Sequence, residues 1–360
     1  KSITIEGNHV YDIGGGGIGA GYMENAAYGY VHAPSPGPDE LSDYRIANNY
    51  VHDCGVEDYA GFGILLAEAK NSIVSHNLIH DTAYFGMAIA GSQLNREAPF
   101  AANNSIEFNH IYRAMKITVD GAGMYLTFSQ QDRSCLVRGN LLHDITANPL
   151  SRRTMQGPGP YLAAGIYLDG AAAGYLIQNN VVYAAWGNLF SNGQSPSVFI
   201  DNLIQKTAAP PAEFIQVMES LAGLEPPYRK SILNTGTTAY AFYSLEDPAD
   251  THWTGYQFHQ PAARTGVMVL FRRTGSEKET AQFKLQNLND KASYGFKLWQ
   301  AVDWDGQSVL DHIQPLADPA SVLGPDAGQK TGRQLMDNGL SVKITQVPQV
   351  LWIVYQQKSP

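Results

Sequence analysis

The chain contains little cysteine, little charge and no long apolar run. Its 360 residues include two cysteines, only 16% of them are Asp, Glu, Lys or Arg, and the net charge is −9. Cys54 and Cys135 fall at different points of a repeat described below, so we do not expect a disulfide between them. An acidic chain without a basic run does not favour nucleic acid as a partner. No apolar stretch reaches the roughly 20 residues that a membrane span needs, so a membrane partner is not expected either.

Glycine and tyrosine, in contrast, are plentiful. The chain has 35 glycines and 20 tyrosines, a composition typical of a β-rich protein with many turns and an aromatic surface. We expect a water-soluble protein that is secreted or periplasmic, although no signal peptide is recognisable.

One eight-residue phrase occurs seven times in the first 206 residues. The first copy is IEGNHVYD (5–12) and the last is FIDNLIQK (199–206). Each copy is centred on one asparagine: Asn8, Asn49, Asn77, Asn109, Asn140, Asn180 and Asn202. Neighbouring asparagines are 22 to 41 residues apart, so a short unit carries loops of variable length. A repeat of this kind predicts a solenoid.

A second phrase, a glycine followed by an aliphatic residue, recurs inside most repeats. Its copies are Gly17-Ile18, Gly63-Ile64, Gly86-Met87, Gly123-Met124 and Gly165-Ile166, and the sixth repeat has Asn188-Leu189 instead. Both phrases alternate apolar and polar residues, which is typical of strands. Three short strands per turn predict an all-β fold, with a parallel β-helix over residues 1–206. We expect each repeated asparagine to occupy a tight bend in left-handed geometry and to hydrogen-bond its neighbours in a ladder.

The repeat ends near Gln205, where the composition changes. Residues 207–234 open with Pro210 and Pro211, which precede an amphipathic pattern. The pattern predicts a helix that lies across the last coil as a cap. Its apolar face would carry Phe214, Val217, Met218 and Leu221.

The start of the chain lies almost inside the first repeat. Lys1 precedes the first asparagine phrase by a few residues. A first coil with nothing stacked on it exposes a row of unpaired backbone groups. We therefore expect an upstream domain, further coils or another subunit to cover that coil.

Residues 235–360 read as separate alternating strands divided by Gly, Pro, Asn and Asp turns, which predicts an antiparallel β-sandwich. This part resembles the C-terminal β-sandwich of family 36 α-galactosidases and related glycosidases. The likeness is carried by Thr254-Gly255-Tyr256-Gln257-Phe258-His259, Leu270-Phe271-Arg272-Arg273, Leu285-Gln286-Asn287-Leu288 with Tyr294, and Gly332-Arg333-Gln334-Leu335-Met336-Asp337-Asn338-Gly339-Leu340. In that family the sandwich is an accessory module, so the resemblance implies a carbohydrate context and no catalytic residue.

The first 230 residues have a likeness of their own. It is carried by Asp120-Gly121-Ala122-Gly123-Met124-Tyr125, Gly165-Ile166-Tyr167-Leu168-Asp169-Gly170 and Ala222-Gly223-Leu224-Glu225-Pro226-Pro227-Tyr228-Arg229. These phrases resemble bacterial right-handed β-helix proteins of the family 141 glycoside hydrolase kind. Pectate lyases, epimerases and phage tailspikes share the fold, so fold alone does not identify the activity.

The glycine-led strands predict where a substrate would lie. If Ile166 and Leu168 point into the helix, then Gly165, Tyr167 and Asp169 point outward. The outward sets of the other coils are then Gly17/Gly19/Gly21, Gly63/Leu65/Ala67, Gly86/Ala88/Ala90, Gly123/Tyr125/Thr127 and Asn188/Phe190/Asn192. Small residues in the early coils and large ones in the later coils, with long insertions at 22–43, 54–61, 93–104 and 145–162, predict a groove.

Two tyrosines and two carboxylates in this groove suit sugar chemistry. The rings of Tyr125 and Tyr167 could stack on the apolar faces of a sugar, although aromatics that merely cover the sheet would have the same pattern. Asp169 ends the fifth glycine-led strand, and Asp120 precedes the fourth. Glycoside hydrolysis needs one acid and one carboxylate nucleophile or base. Both aspartates could instead be turn residues, and the pair would meet only if the turn at Gly121 folds Asp120 back over the floor.

Other side chains are weaker candidates for the substrate site. Beside Tyr125 and Tyr167 we expect substrate contacts from Phe190, Asn188, Asn192, His80, His143, Arg152 and Glu57. The His-Asp pairs recur at one point of the repeat, which also fits a stacked structural role. The reserve acids are Glu57, Asp58, Glu68, Glu24 and Asp132. No metal-binding spacing or cofactor motif is present, so neither a catalytic metal nor a cofactor is predicted.

These observations predict a glycoside hydrolase that acts on a polysaccharide or oligosaccharide. A polysaccharide lyase or epimerase acting on a uronate is the alternative enzyme, with Lys116, Arg152 and Arg153 as base and cations. A non-catalytic glycan-binding module is the alternative outside enzymes. It would keep the tyrosines and would not need the acid pair.

Overall fold

The computed structural model describes residues 2–21, 41–90, 101–127, 135–146, 163–170, 172–192, 196–205, 209–235, 240–246, 252–302, 309–310 and 312–358. The chain divides into two compact units. One unit takes in 1–207 and 221–237, and the other takes in 208–220 and 238–360.

Three parallel sheets build the first unit, and each of the first six coils contributes one strand to every sheet. The first sheet contains β1 (Thr4–Glu6), β4 (Arg45–Ala47), β7 (Ile73–Ser75), β10 (Ser105–Glu107), β13 (Cys135–Arg138), β16 (Tyr175–Gln178) and β19 (Val198–Ile200). The second contains β2 (His9–Ile13), β5 (Tyr50–Cys54), β8 (Leu78–Thr82), β11 (His110–Tyr112), β14 (Leu141–Ile145), β17 (Val181–Ala185) and β20 (Leu203–Gln205). The third contains β3 (Ile18–Gly21), β6 (Ile64–Ala67), β9 (Met87–Ala90), β12 (Ala122–Thr127), β15 (Ala164–Asp169) and β18 (Leu189–Ser191).

Inward aliphatic residues from all three sheets fill the interior of the coils. In the fourth coil, Ile106, Ile111 and Met124 come from the first, second and third sheets, and each is 0% exposed. Strands pair in parallel with the same position of the next coil, as Met124 does with Ile166. The predicted parallel β-helix is confirmed.

The repeated asparagines form one continuous column. Asn77 Nδ2 donates to Asn109 Oδ1 at 2.9 Å and to the main-chain oxygen of Ile46 at 3.0 Å. The main-chain N–H of Asn77 donates to the same Asn109 oxygen at 3.1 Å. Equivalent side-chain bonds of 2.8 to 3.0 Å link Asn8, Asn49, Asn77, Asn109, Asn140, Asn180 and Asn202 in that order. The predicted ladder is confirmed.

The left-handed residue at this corner is the one that precedes each asparagine. Its φ lies between 51° and 71° at Gly7, Asn48, His76, Phe108, Gly139, Asn179 and Asp201. The prediction that the ladder asparagines themselves adopt this geometry was wrong. They recur because a buried carboxamide can donate and accept at once, and so satisfy the backbone of two coils.

The glycines that open the third-sheet strands face the core. A Cβ at Gly86 would lie 2.4 Å from Ile111 Cγ2, and one at Gly165 would lie 2.3 Å from Val182 Cγ1. Gly17, Gly63 and Gly123 also face inward side chains. The prediction that these glycines lie on the outer face was therefore wrong. They are small because the second sheet packs against them at this corner.

Two short helices follow β20: α1 (Ala212–Leu221) and α2 (Pro226–Leu233). The predicted helix therefore ends at Leu221, and the left-handed Gly223, with φ of 81°, follows it. Helix α1, predicted to cap the last coil, groups with the second unit. There the ring of Phe214 lies 6.4 Å from that of Trp352.

The segment between the two helices binds the asparagine corner of the first unit. The N–H of Gly223 donates to the main-chain oxygen of Phe108 at 2.7 Å, and its carbonyl hydrogen-bonds with His76 Nδ1 at 3.2 Å. Asn48 Nδ2 donates to Glu225 Oε2 at 2.7 Å. Asn48, His76 and Phe108 are left-handed residues of three consecutive coils. The segment therefore ties those coils together.

The second unit is built on antiparallel strands. Its larger sheet follows the order β21 (Ala241–Glu246), β22 (Trp253–Gln260), β23 (Thr265–Arg272), β29 (Gln349–Gln357), β25 (Tyr294–Val302) and β27 (His312–Pro315). A smaller sheet pairs β24 (Thr280–Phe283) with β28 (Leu340–Lys343). Further described elements of this unit are β26 (Val309–Leu310), α3 (Ala320–Leu323), a 3₁₀ helix (Ala327–Gln329) and α4 (Gly332–Asp337). A separate core contains Trp253, Phe283, Leu335 and Ile353. The all-β class and the antiparallel C-terminal sheet are confirmed.

Both cysteines are buried. Burial, aided by the charge of Asp53, raises the pKa of Cys54 to about 11. Within the described ranges, no helix is long and apolar enough to cross a membrane.

Candidate active site

The outer face of the third sheet carries the predicted catalytic pair. Ile166 and Leu168 belong to the core, at 0% and 1% exposed. Tyr167 lies outside that core, in a small cluster with Tyr125 and Phe190. The predicted inward and outward positions are therefore right for Ile166, Tyr167 and Leu168, which follow Gly165 in the strand.

Three donors hold the carboxylate of Asp169, the last residue of β15. Tyr125 Oη donates to its Oδ2 at 2.5 Å. The main-chain N–H of Gly170 and the amide of Asn192 donate to its Oδ1 at 2.7 Å and 2.9 Å. The two side-chain donors come from the coils on either side. A carboxylate fixed in this way keeps one orientation, as a nucleophile or a general base requires.

Two aromatic neighbours hold the ring of Tyr125. Phe85 stacks on it with centroids 4.4 Å apart, and Tyr167 meets it edge-on at 5.2 Å. Burial raises the pKa of Tyr125 far above its usual range, and the hydrogen bond to Asp169 raises it further. Tyr125 is therefore a protonated donor with one ring face stacked on Phe85. It suits positioning of Asp169 better than the sugar stacking predicted for it.

Asp120 lies in the turn that leads into β12, with φ of 64°. Its main-chain oxygen accepts a hydrogen bond of 2.7 Å from Tyr84 Oη. Partial loss of water raises the pKa of the Asp120 carboxyl, and the negative charge of Asp169 raises it further. The two predicted catalytic groups are thus near enough to interact electrostatically. A Cβ at Gly121 would meet Tyr84 and Phe85 within 2.8 Å, so glycine permits this turn to pack closely.

The other predicted substrate residues of this sheet differ in exposure. Tyr167 is only 2% exposed, so its ring face is not free for a sugar. Phe190 is half-buried and meets Tyr167 at 4.8 Å. Asn192 is exposed and contacts Asp169. Asn188 is 6% exposed, and its amide can donate to the main-chain oxygens of Ala185 and Gln205, so it lies inside the coil and away from the surface.

Two aromatic residues of the site were not among the predicted ones. Tyr84 and Phe85 stack on each other at 3.7 Å, and both are half-buried next to Asp120 and Tyr125. They directly precede Gly86 and belong to neither of the two repeated phrases. The aromatic residue before the glycine phrase, which also occurs at Phe62, was the available signal.

The predicted floor is open over a shorter length than expected. Ala67, Ala88 and Ala90 on coils two and three are 2%, 2% and 6% exposed. In coils five and six, Asp169 and Phe190 are half-buried and Asn192 is exposed. Gly19 and Gly21 of the first coil are exposed as well, so the most covered positions of this face lie on coils two and three.

His80 and His143 lie on the second sheet, where they form part of a stacked column. His80 stacks on His52 and Tyr112 with centroids 4.9 Å and 4.7 Å apart. His143 stacks on Tyr112 and Tyr183 at 5.1 Å and 4.9 Å. Nδ1 of each histidine hydrogen-bonds with the following aspartate. These contacts correspond to the stacked structural role, and neither histidine contacts the aspartate pair.

The described reserve acids belong to the second coil, and Lys116 is bound to another aspartate. Glu57 and Asp58 are exposed on the second coil, three strand spacings from Asp169, which is about 14 Å. Glu68 is 2% exposed. Lys116 Nζ donates to Asp81 Oδ1 at 2.9 Å. Arg152, Arg153, Glu24 and Asp132 lie outside the described residues.

No group of three or more His, Cys, Asp and Glu side chains that could hold a metal occurs among the residues the structure describes.

Comparison with known proteins supports the fold. The family model for the right handed beta helix region matches residues 1–182. No curated protein matches the chain. Among solved structures the chain is similar to a glycoside hydrolase, with a TM-score of 0.48 and 22% identity over 63% of this chain, and to the Dettilon tailspike protein gp208, with a TM-score of 0.31 and 15% identity over 97% of this chain. It spans 35% of the first structure and 65% of the second. Neither likeness is close enough to transfer an activity.

Proposed function

The chain belongs to the right-handed β-helix family, and we propose that it acts as a glycoside hydrolase on a polysaccharide or oligosaccharide. The observation that supports this most strongly is the carboxylate of Asp169, fixed by three donors and accompanied by a second carboxyl of raised pKa. Pairs of acids whose surroundings differ in this way divide the acid and base roles between them. A general acid and a carboxylate nucleophile or base are the two groups that glycoside hydrolysis needs.

In this proposal Asp120 is the general acid. Its raised pKa favours the protonated form, which gives its proton to the oxygen of the leaving sugar. As the bond to the leaving oxygen breaks, Asp169 either attacks the anomeric carbon itself or deprotonates the water that attacks it. In the first case a water activated by the deprotonated Asp120 then releases the sugar from Asp169. Tyr125 and Asn192 hold Asp169 in the orientation that either step needs.

Substitution of each acid tests the proposal. The purified protein is screened on neutral and uronate glycans, and products are identified by mass. Asp120→Asn and Asp169→Asn should each lower kcat by at least about 100-fold, the usual contribution of a positioned acid or base. Asp58→Asn, an exposed aspartate three strand spacings from Asp169, is the matched control and should retain activity. Full activity in either Asp120→Asn or Asp169→Asn would remove that residue from the mechanism.

The same screen separates the alternatives. A uronate lyase would release products with an unsaturated end that absorbs in the ultraviolet. Lys116, one of its proposed cations, is bound to Asp81. A glycan-binding module would bind an oligosaccharide without releasing product, and Asp169→Asn would leave its affinity unchanged.

A further inference from the structure

Two histidines on the outer face of the second sheet bring their Nε2 atoms together. His9 lies on β2 and His52 on the adjacent strand β5, and their Nε2 atoms are 2.8 Å apart. His9 is exposed, and the His52 side chain is 15% exposed. One of these two nitrogens must donate to the other. Each ring therefore directs its Nε2 atom into the same small space, which solvent can reach.

Asp53 sets the orientation and the proton position of His52. Its Oδ2 lies 2.7 Å from His52 Nδ1. A carboxylate at this place keeps the proton on Nδ1 and leaves the Nε2 lone pair outward. Metal-binding histidines commonly have such a carboxylate behind them, which fixes the ring and makes its free nitrogen a better ligand.

We propose that His9 and His52 form a binding site for a divalent ion of the zinc class, completed by water. Zinc holds imidazole nitrogens at 2.0–2.1 Å in tetrahedral geometry, which places two of them about 3.3 Å apart. The Nε2 atoms would therefore separate by about 0.5 Å. Both rings would also turn toward the ion, because at a centroid distance of 5.1 Å they now point nearly at each other. His9 would move its proton from Nε2 to Nδ1, so both rings bind as neutral imidazoles without net proton release.

A second pair on the same sheet provides an internal comparison. His110 and His143 also place Nε2 atoms 2.8 Å apart, and Asp144 lies behind His143. These residues are only 7% and 9% exposed. Burial leaves little room for the water ligands that a two-histidine site needs, so the exposed pair is the one expected to bind zinc.

The site would join the first two coils. His9 belongs to the first coil and His52 to the second, and Asp169 lies on the fifth coil and on a different sheet. Bound zinc would therefore stabilise the start of the β-helix and would not take part in the proposed glycoside chemistry.

Calorimetry with zinc chloride tests the site on the full chain after any affinity tag has been removed. We expect one ion to bind, with affinity reduced at least tenfold in His9→Gln and in His52→Gln. Asp53→Asn should weaken binding less. The thermal midpoint of the wild type should rise with zinc concentration, and that of His52→Gln should not.

Two variants serve as controls. His143→Gln alters the buried pair, and His252→Gln alters a histidine of the second unit; both should bind zinc as the wild type does. Anomalous diffraction from zinc-soaked crystals should place the ion between His9 and His52. Absence of wild-type binding, unchanged affinity in both His9→Gln and His52→Gln, or an ion located elsewhere would overturn the proposal.

Discussion

Asp120 and Asp169 have unlike surroundings, and the difference determines their proposed roles. Asp169 accepts three hydrogen bonds from donors fixed in the sheet and its turns. Asp120 has lost part of its water and faces the charge of Asp169, so its pKa is raised. Sites that arrange charge in this way commonly lose some stability to gain function.

The stability of Asp120→Asn should depend on pH. A carboxyl whose pKa is raised on folding favours the folded state while it is protonated, and that contribution is lost as pH rises through the folded pKa. Above the ordinary aspartate range the carboxyl therefore lowers stability, because it ionises more readily in the unfolded chain, and its replacement should raise the thermal midpoint slightly. The gain should vanish below the ordinary aspartate range, about pH 4. Asparagine also tolerates the left-handed φ of 64° at this position.

Thermal melts across this pH range provide the measurement. Asp12→Asn is the matched control, because Asp12 is exposed and left-handed as well, with φ of 55°. A lower midpoint for Asp120→Asn at neutral pH would contradict the assigned surroundings of Asp120.

Tyr125→Phe should reduce activity through the loss of one hydroxyl. The ring contacts with Phe85 and Tyr167 would remain, while the hydrogen bond to Asp169 would be lost. A hydrogen bond to a charged group contributes about 1.5–3 kcal/mol, so kcat/KM should fall about 10- to 100-fold with a small change in thermal midpoint. Tyr183→Phe, on the second sheet, should retain wild-type kcat/KM. Equal kinetics for the two variants would show that Tyr125 does not position Asp169.

The repeated asparagine and glycine phrases are the reason why the strands of the β-helix could be predicted from the sequence. Because one phrase recurs seven times, each copy marks the same position of the coil. The column of stacked asparagines follows directly from that repeat. The backbone angle was assigned to the wrong residue, because residues such as Asn48 and Asn49 are adjacent and either type tolerates left-handed geometry. The inward glycines were misplaced because strict alternation does not hold where the chain bends.

Gly86→Ala tests the corner packing. An added Cβ would lie 2.4 Å from Ile111 Cγ2 and 2.7 Å from the main-chain oxygen of Gly123. Both contacted atoms lie in the packed interior. The free energy of unfolding should therefore fall by about 1–3 kcal/mol, the usual cost of overpacking. Gly19→Ala is the control, since its nearest atom would be Phe62 Cζ at 3.9 Å. Equal melts for the two variants would contradict the inward orientation of Gly86.

The chain as a whole consists of two units whose cores share no residue. Fold class and the identity of the catalytic candidates followed from repeats that are local in sequence. The burial of Tyr167 and the contribution of Tyr84 and Phe85 could not be predicted in this way. They depend on packing between coils, about which the spacing of residues in the sequence gives no information. Helix α1 was predicted from an amphipathic pattern, which shows that one face is buried and does not show which residues cover it. In the structure the helix groups with the second unit.

Phe283→Ala should separate the stability of the second unit from the proposed chemistry. Phe283 is 0% exposed in the core of that unit, and its truncation should cost about 3–5 kcal/mol of that unit's unfolding free energy. The proposed acids and their donors all belong to the first unit, so kcat measured well below the melting transition should stay at the wild-type value. Leu168→Ala, which empties the core directly beneath Asp169, should instead lower both stability and kcat. A loss of kcat in folded Phe283→Ala as large as that in Leu168→Ala would mean that the second unit supplies part of the active site.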